Sequence, residues 1–179
     1  MPYTGTGQKL ELLTELKNDV TGWVNDWVSQ YNSRLEAVPC PYAKQALLRD
    51  TVEWDVVSDI HDLTQKILDF TIDEFNDDTH EVLVIGAVTE TIGVYELATV
   101  IHDLNHRVLM PAGWVALEDH PNDPETVNGE SMNHGSWILI LIQSLEKLNS
   151  ASKHLEDMGY YENWSSENLE DVRDWRRKE

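Results

Sequence analysis

Apolar residues recur at steps of three and four along the first part of the chain. This pattern predicts an N-terminal helix over residues 8–35, because such steps place side chains on one helix face. The residues of this face are Leu10, Leu13, Leu16, Val20, Trp23, Trp27 and Tyr31. Pro39 and Pro41 end the pattern, and residues 42–48 predict a short second helix with Pro41 in its first turn.

Short apolar runs and helical patterns then alternate along the chain. The runs that predict strands cover residues 51–57, 81–87 and 113–117. The patterns that predict helices cover residues 62–75, 91–109 and 136–158. Alternation of this kind predicts an α/β fold, here with a small, mostly parallel three-stranded sheet and long helices at the N- and C-terminal ends.

The length of 179 residues fits one domain. We expect an N-terminal helix over 8–35, an α/β body over 40–158 and an aromatic-rich helical tail over 159–179. The tail places Leu169, Val172 and Trp175 on one helical face after a capping Ser166, which predicts docking onto the body or across a homodimer. Residues 118–135, rich in Pro, Asn, Asp and Gly, predict a long loop that is either functional or a mobile connection.

The chain carries 33 acidic and 13 basic residues, for a net charge of −20. This balance argues against nucleic acid and anionic membranes as partners, since both are bound by clustered Lys and Arg. Three interpretations of the acidity stay open: solubility, for which a saline habitat is one setting, attraction to a basic protein partner, and mimicry of DNA. Without a signal peptide or an apolar stretch long enough to span a membrane, the expectation is a soluble cytoplasmic protein.

Cys40, the one cysteine of the chain, lies at the start of the second predicted helix. The N-terminus of a helix favours a thiolate, so a lowered pKa and a reactive Cys40 are one expectation. The alternative is a small buried apolar residue, because unpaired cysteines are among the most buried residue types. The run Cys40-Pro41-Tyr42 locally resembles the Cys-Pro-Tyr motif of glutaredoxins, although Ala43 occupies the position of their second cysteine.

The longer run Cys40-Pro41-Tyr42-Ala43-Lys44 resembles a bacterial family of unknown function that carries a Cys-Pro-Phe-Ala-Lys motif near its N-terminus. The order of predicted elements is also similar over roughly residues 20–157, and His120-Pro121 matches a His-Pro pair that follows the third crossover in that family. This resemblance implies the same α/β fold and a site cysteine. It implies no activity, because the family has none assigned.

A parallel sheet would bring several of these residues to one edge. His61, Glu90 and His120 each follow a predicted strand, and ligand sites in α/β proteins form where such strands end. Cys40 is expected near the same edge. Cys40 with His61 and His120 would then form either a catalytic thiol activated by imidazole or a site for zinc or iron.

His102 and His106 form a second candidate, since a spacing of four places both imidazoles on one helix face. The alternative is a pair of solvated histidines, because catalytic zinc needs three protein ligands.

The pattern as a whole favours a non-catalytic binding or regulatory protein that uses its acidic surface and the 118–135 loop, with no cofactor. A thiol- or metal-dependent enzyme using Cys40, His61 and His120, and an inhibitor that mimics DNA, are the alternatives.

Overall fold

The structure, a computed structural model, describes residues 6–73 and 80–177. Within these ranges the chain forms six α-helices and four β-strands. The helices are α1 (Thr6–Trp23), α2 (Ala43–Leu48), α3 (Ile60–Asp73), α4 (Val94–Leu104), α5 (Leu145–Asp157) and α6 (Ser166–Val172). The strands are β1 (Val52–Val56), β2 (Val82–Val88), β3 (Trp114–Asp119) and β4 (Trp137–Ser144). The predicted end of the third helix at residue 75 lies outside the described residues.

The four strands form one mixed sheet in the order β1-β2-β4-β3. Strands β1 and β2 are parallel, whereas β4 lies antiparallel between β2 and β3. It follows that β1, β2 and β3 all run in the same direction and end at the same edge of the sheet. The α/β class is confirmed, and the predicted three-stranded, mostly parallel sheet is corrected to a four-stranded mixed one.

The additional strand arises from the segment that was predicted as one helix over residues 136–158. Residues of β4 are apolar on both faces because the strand lies at the centre of the sheet, with Ile138, Ile140 and Ile142 buried on one side and Leu139 buried on the other. A short apolar run of this kind does not distinguish a buried strand from a helix. The helix begins only at Leu145, after Ser144, whose hydroxyl accepts the Lys147 N–H at 3.3 Å.

Helices cover both faces of the sheet. On one face, α3 and α4 enclose a core centred on Ile67, Ile85 and Ile101. On the other, α1 crosses the strands diagonally: Lys9 pairs with Asp55 of β1, and ten residues later Asp19 accepts a hydrogen bond from the Trp137 indole of β4 at 2.9 Å. This diagonal course carries the end of α1 to the edge at which β1, β2 and β3 end.

Two turns of π-helix shift the faces that helical spacing predicted. After Trp23 the helix continues only to Val28, through the π turn Val24–Val28, and Tyr31 on the predicted apolar face is 68% exposed. The π turn Asn105–Leu109 follows α4 and adds one residue to the turn. Leu109 is therefore fully buried, whereas regular helical spacing from Ile101 and Leu104 would place Val108, here only partly buried, in the core.

The C-terminal tail docks onto the same chain, as predicted. Ser165, rather than Ser166, caps α6 by accepting the Asn168 N–H at 3.1 Å. Beyond α6, Arg176 is 4% exposed and donates hydrogen bonds to Asn149 and Ser152 of α5. The alternative of docking across a homodimer stays a prediction.

No helix within the described ranges combines the length and the apolarity that crossing a bilayer requires.

Candidate functional site

The edge at which β1, β2 and β3 end is the part of the sheet where the sequence predicted a site. His120, placed there directly after β3, is 3% exposed. Its Nε2 lies 3.0 Å from the Ile92 carbonyl oxygen, and its Nδ1 accepts the Asn122 N–H at 3.0 Å. Both ring nitrogens are therefore engaged in the protein interior, which makes His120 a connector between two loops.

The other residues predicted for this edge lie on its surface. His61 is exposed in the first turn of α3, and its backbone N–H donates to the Asp59 carboxylate at 3.0 Å. Glu90 is exposed in the loop after β2. No hydrogen bond or ion pair joins His61 or His120 to Cys40 among the described residues. Their joint role in catalysis stays a prediction without a supporting contact.

Cys40 precedes α2 and packs against the core between α1 and the sheet. Its backbone N–H donates to the Val28 carbonyl at 3.0 Å. Burial raises the pKa of the Cys40 thiol, and hydrogen bonds from the backbone of Tyr42 and Ala43 only partly offset this effect. The expectation of a lowered pKa is therefore wrong. The start of α2 directs backbone N–H groups at the sulfur as predicted, but the removal of solvent around the thiol raises its pKa by more than these hydrogen bonds lower it.

A metal site built from Cys40, His61 and His120 is not formed. Across residues 6–73 and 80–177, the structure brings no three His, Cys, Asp or Glu side chains into an arrangement that could hold a metal ion. The second predicted pair does meet, since the rings of His102 and His106 lie 4.2 Å apart between their centres. These two histidines lie on the solvent side of the junction between α4 and the π turn Asn105–Leu109.

A residue that the sequence analysis missed, His134, contributes to the strand-end edge. The Asp119 carboxylate, at the end of β3, accepts the His134 backbone N–H at 3.0 Å through Oδ2, while its Oδ1 is buried without a hydrogen-bond partner. Burial is the main cause that raises the pKa of Asp119 to about 7, and repulsion by Asp123 adds to it. Asp119 therefore holds a proton close to neutral pH.

The His134 ring packs into the strand-end edge. Burial lowers its pKa, and the Asp19 carbonyl and carboxylate oppose that shift. Its Nδ1 accepts the backbone N–H of Trp137 at 3.3 Å, and the ring packs edge-on against Trp23 at 5.1 Å between ring centres. No pattern in the sequence singled out His134, because its partners come from α1, β3 and β4.

The loop that follows β3 is held by specific hydrogen bonds along its length. Val127 is 1% exposed and pairs with Glu130 across a tight turn at Asn128 and Gly129, both with positive φ. Such a turn is typical of an Asn-Gly pair. The Glu130 carboxylate in turn accepts a hydrogen bond from Arg34 at 2.6 Å. The interpretation of residues 118–135 as a mobile connection has no support in these contacts.

The end of β3, the loop that follows it and α6 together present five neighbouring carboxylates, which we call the acidic surface: Glu118, Asp123, Glu125, Glu167 and Asp171. None of them forms an ion pair with a described lysine or arginine.

Mutual repulsion raises the pKa values of carboxyl groups within the acidic surface. The pKa of Glu125 is raised by burial and by repulsion from Asp171, Asp123 and Glu167. The pKa of Asp171 is likewise raised by burial and by neighbouring carboxylates, with Glu167 the strongest of them. In the isolated protein, the negative charges of Glu125 and Asp171 therefore repel each other and those of neighbouring carboxylates.

Comparison with known protein families, curated proteins and solved structures finds no significant match to this chain.

Proposed function

We propose that the protein is a non-catalytic binding protein that holds a basic protein partner on its acidic surface. The observation that carries this proposal is the cluster of five carboxylates without an ion pair, on the end of β3 and on a loop and helix that are themselves well anchored. Bringing positive charge to such a cluster relieves repulsion that the isolated protein retains.

Arg173 and Arg176 of the tail do not neutralise this surface, because they are turned inward. Arg173 is 7% exposed, and its guanidinium pairs with Glu156 of α5 and with Asp174. Arg176 is buried against the same helix. The chain thus uses its clustered arginines for internal docking and leaves the acidic side of α6 to solvent.

Anchoring of the acidic surface supports binding in a second way. The Asn168 side-chain amide donates to the Glu125 carboxylate and to the Thr126 carbonyl, both at 3.1 Å, and so ties α6 to the loop. A preorganised cluster loses little conformational entropy when a partner binds. Its electrostatic field also speeds the encounter with a partner of opposite charge.

The test compares two variants of equal net charge. One replaces three residues of the acidic surface, D123N/E125Q/D171N. The control replaces three exposed acidic residues of the N-terminal segment, E11Q/E15Q/D26N. Binding of a fluorescent oligolysine decapeptide is measured by anisotropy at several salt concentrations.

We expect the first variant to lose about tenfold in affinity, since each charge contact contributes up to ~1 kcal/mol, and the control to lose about twofold or less. Equal losses in the two variants would show that the decapeptide responds to net charge alone, and would overturn the proposal of a defined binding surface.

A further inference from the structure

His102 and His106 face each other on the solvent side of the junction between α4 and its π turn. Their ring centres lie 4.2 Å apart and their planes are tilted by 32°. Both residues are exposed. The pair is therefore open to an ion from solution, unlike the buried His120.

The core packing of this junction explains why the two rings point outward together. Leu104 and Asn105 are both buried, and the Asn105 amide is bound to the backbone of β3 on its inner side. His102, two residues before Leu104, and His106, directly after Asn105, then lie on the outer side. The buried Leu104 and Asn105 thus fix the orientation of the helix about its axis, and with it the position of the two imidazoles.

The hydrogen bonds of the rings leave metal-binding nitrogen atoms available. Nδ1 of His106 lies 2.9 Å from the His102 carbonyl oxygen, which it reaches as an N–H donor. For His106, donation by Nδ1 to a carbonyl places the unprotonated lone pair on Nε2, and this is the arrangement that orients histidine ligands in metal sites. Nδ1 of His102 lies 3.8 Å from the Asp103 carboxylate, too far for a hydrogen bond, so either nitrogen of this ring can present its lone pair to a metal ion.

We propose that His102 and His106 form a two-imidazole clamp for a divalent late transition-metal ion, with Cu²⁺ bound most tightly. Two imidazoles at adjacent positions of one ion, with metal–nitrogen distances near 2.1 Å, have ring centres roughly 4.5 Å apart. The observed separation is only slightly shorter. Imidazole selects Cu²⁺, Ni²⁺ and Zn²⁺ over Mg²⁺ and Ca²⁺, and affinity among them is highest for Cu²⁺.

The clamp supplies two of the ligands, and water fills the other positions. The described residues offer no third His, Cys, Asp or Glu in a shared metal site. Asp103 and Arg107, each adjacent in sequence to one of the two histidines, have their charged groups 3.9 Å apart and offset each other. The net charge of −20 raises the local concentration of divalent cations around the whole protein.

The test measures the binding of CuCl₂ to the full chain, without an affinity tag, by calorimetry. We expect one Cu²⁺ per chain with micromolar affinity, and a loss of at least about tenfold in either His102→Ala or His106→Ala. His154→Ala, which removes another exposed histidine from α5, serves as the matched control and is expected to bind as the wild type does. Circular dichroism confirms that each variant is folded.

Trp175 gives an independent readout, because its ring lies 6.3 Å from that of His106. Bound Cu²⁺ should quench its fluorescence, and Trp175→Phe should remove most of the quenching while leaving the calorimetric affinity intact. Undiminished binding in either clamp variant would overturn the proposal. So would an equal loss in His154→Ala, or Mg²⁺ competing with Cu²⁺ at equal concentration.

Discussion

A Cβ atom on Gly86 would lie 2.5 Å from Cδ1 of Leu16. Helix α1 therefore crosses the middle of β2 in direct contact with its backbone, and this approach requires glycine at that position. Leu16 itself is fully buried between the helix and the sheet. The diagonal course of α1, which delivers Asp19 and Trp23 to the strand-end edge, depends on this contact.

Gly86→Ala should destabilise the fold by about 1–3 kcal/mol, because the added methyl forces the packed leucine to move. Leu16→Ala removes the side chain that this methyl meets, so the two changes together should cost at least ~1 kcal/mol less than the sum of their separate costs. Denaturant unfolding measures all three variants. Gly22→Ala is the control, since no atom lies within 4 Å of its added methyl. Strict additivity would contradict the close approach.

Asn105→Ala should cost about 2–4 kcal/mol. The Asn105 amide donates to the Ala116 carbonyl and accepts the Ala116 N–H, both at 2.8 Å, and so completes the bonding of an edge strand. Without it, two buried backbone groups lose their partners, each at about 1–3 kcal/mol. Asn18→Ala, at an exposed helical position, should change the free energy of unfolding by less than ~0.5 kcal/mol. Similar losses of unfolding free energy in both variants would show that the Asn105 amide does not stabilise the edge strand β3.

Asp119→Asn should become increasingly stable relative to the wild type as the pH rises from ~4 to ~7. An unfolded aspartate ionises near ~3.9, whereas burial keeps folded Asp119 protonated up to a pKa of about 7. The folded state therefore binds the extra proton across this window, and wild-type stability falls with rising pH. At pH ~7 the free energy of unfolding of Asp119→Asn, relative to the wild type, should exceed its value at pH ~4 by about 1–2 kcal/mol. This is well below the free energy that corresponds to the whole pKa difference between the folded and unfolded states. Asn retains the oxygen that accepts the His134 N–H.

Chemical denaturation at several pH values measures this gain, with the exposed Asp26→Asn as control. A difference between Asp119→Asn and the wild type that does not change with pH would refute the assignment of a protonated Asp119.

Deletion of residues 163–179 should lower the melting temperature, because the tail packs onto the body. The single change Arg176→Ala tests the same docking, since Arg176 joins Asn149 and Ser152 of α5 to the Val172 carbonyl. Loss of these buried contacts should cost about 2–4 kcal/mol. Arg107→Ala, whose side chain is 78% exposed, is the control. A truncated protein that melts like the full chain would show that docking adds no stability.

The sequence pattern predicted the short helix α2 and strands β1, β2 and β3 to within two residues, because each has a single apolar period with Pro, Gly or polar residues at its ends. It also placed the ends of three strands at one edge. It could not foresee which of the residues there are exposed. His120 is buried between loops and His61 is not, and this difference depends on contacts with residues distant in sequence.

The sequence by itself determined the α/β class, the single cysteine, the excess of acidic residues and the i, i+4 pairing of His102 with His106. Only the tertiary structure decided that residues 137–144 form a strand, because an apolar run is compatible with a helix until neighbouring strands offer hydrogen bonds on both sides. It also decided the pKa of Cys40, since the burial that outweighs the helix start comes from α1 and the sheet. The acidic surface, likewise, exists only because α6 folds back beside the loop after β3, which places repelling carboxylates from two distant segments together.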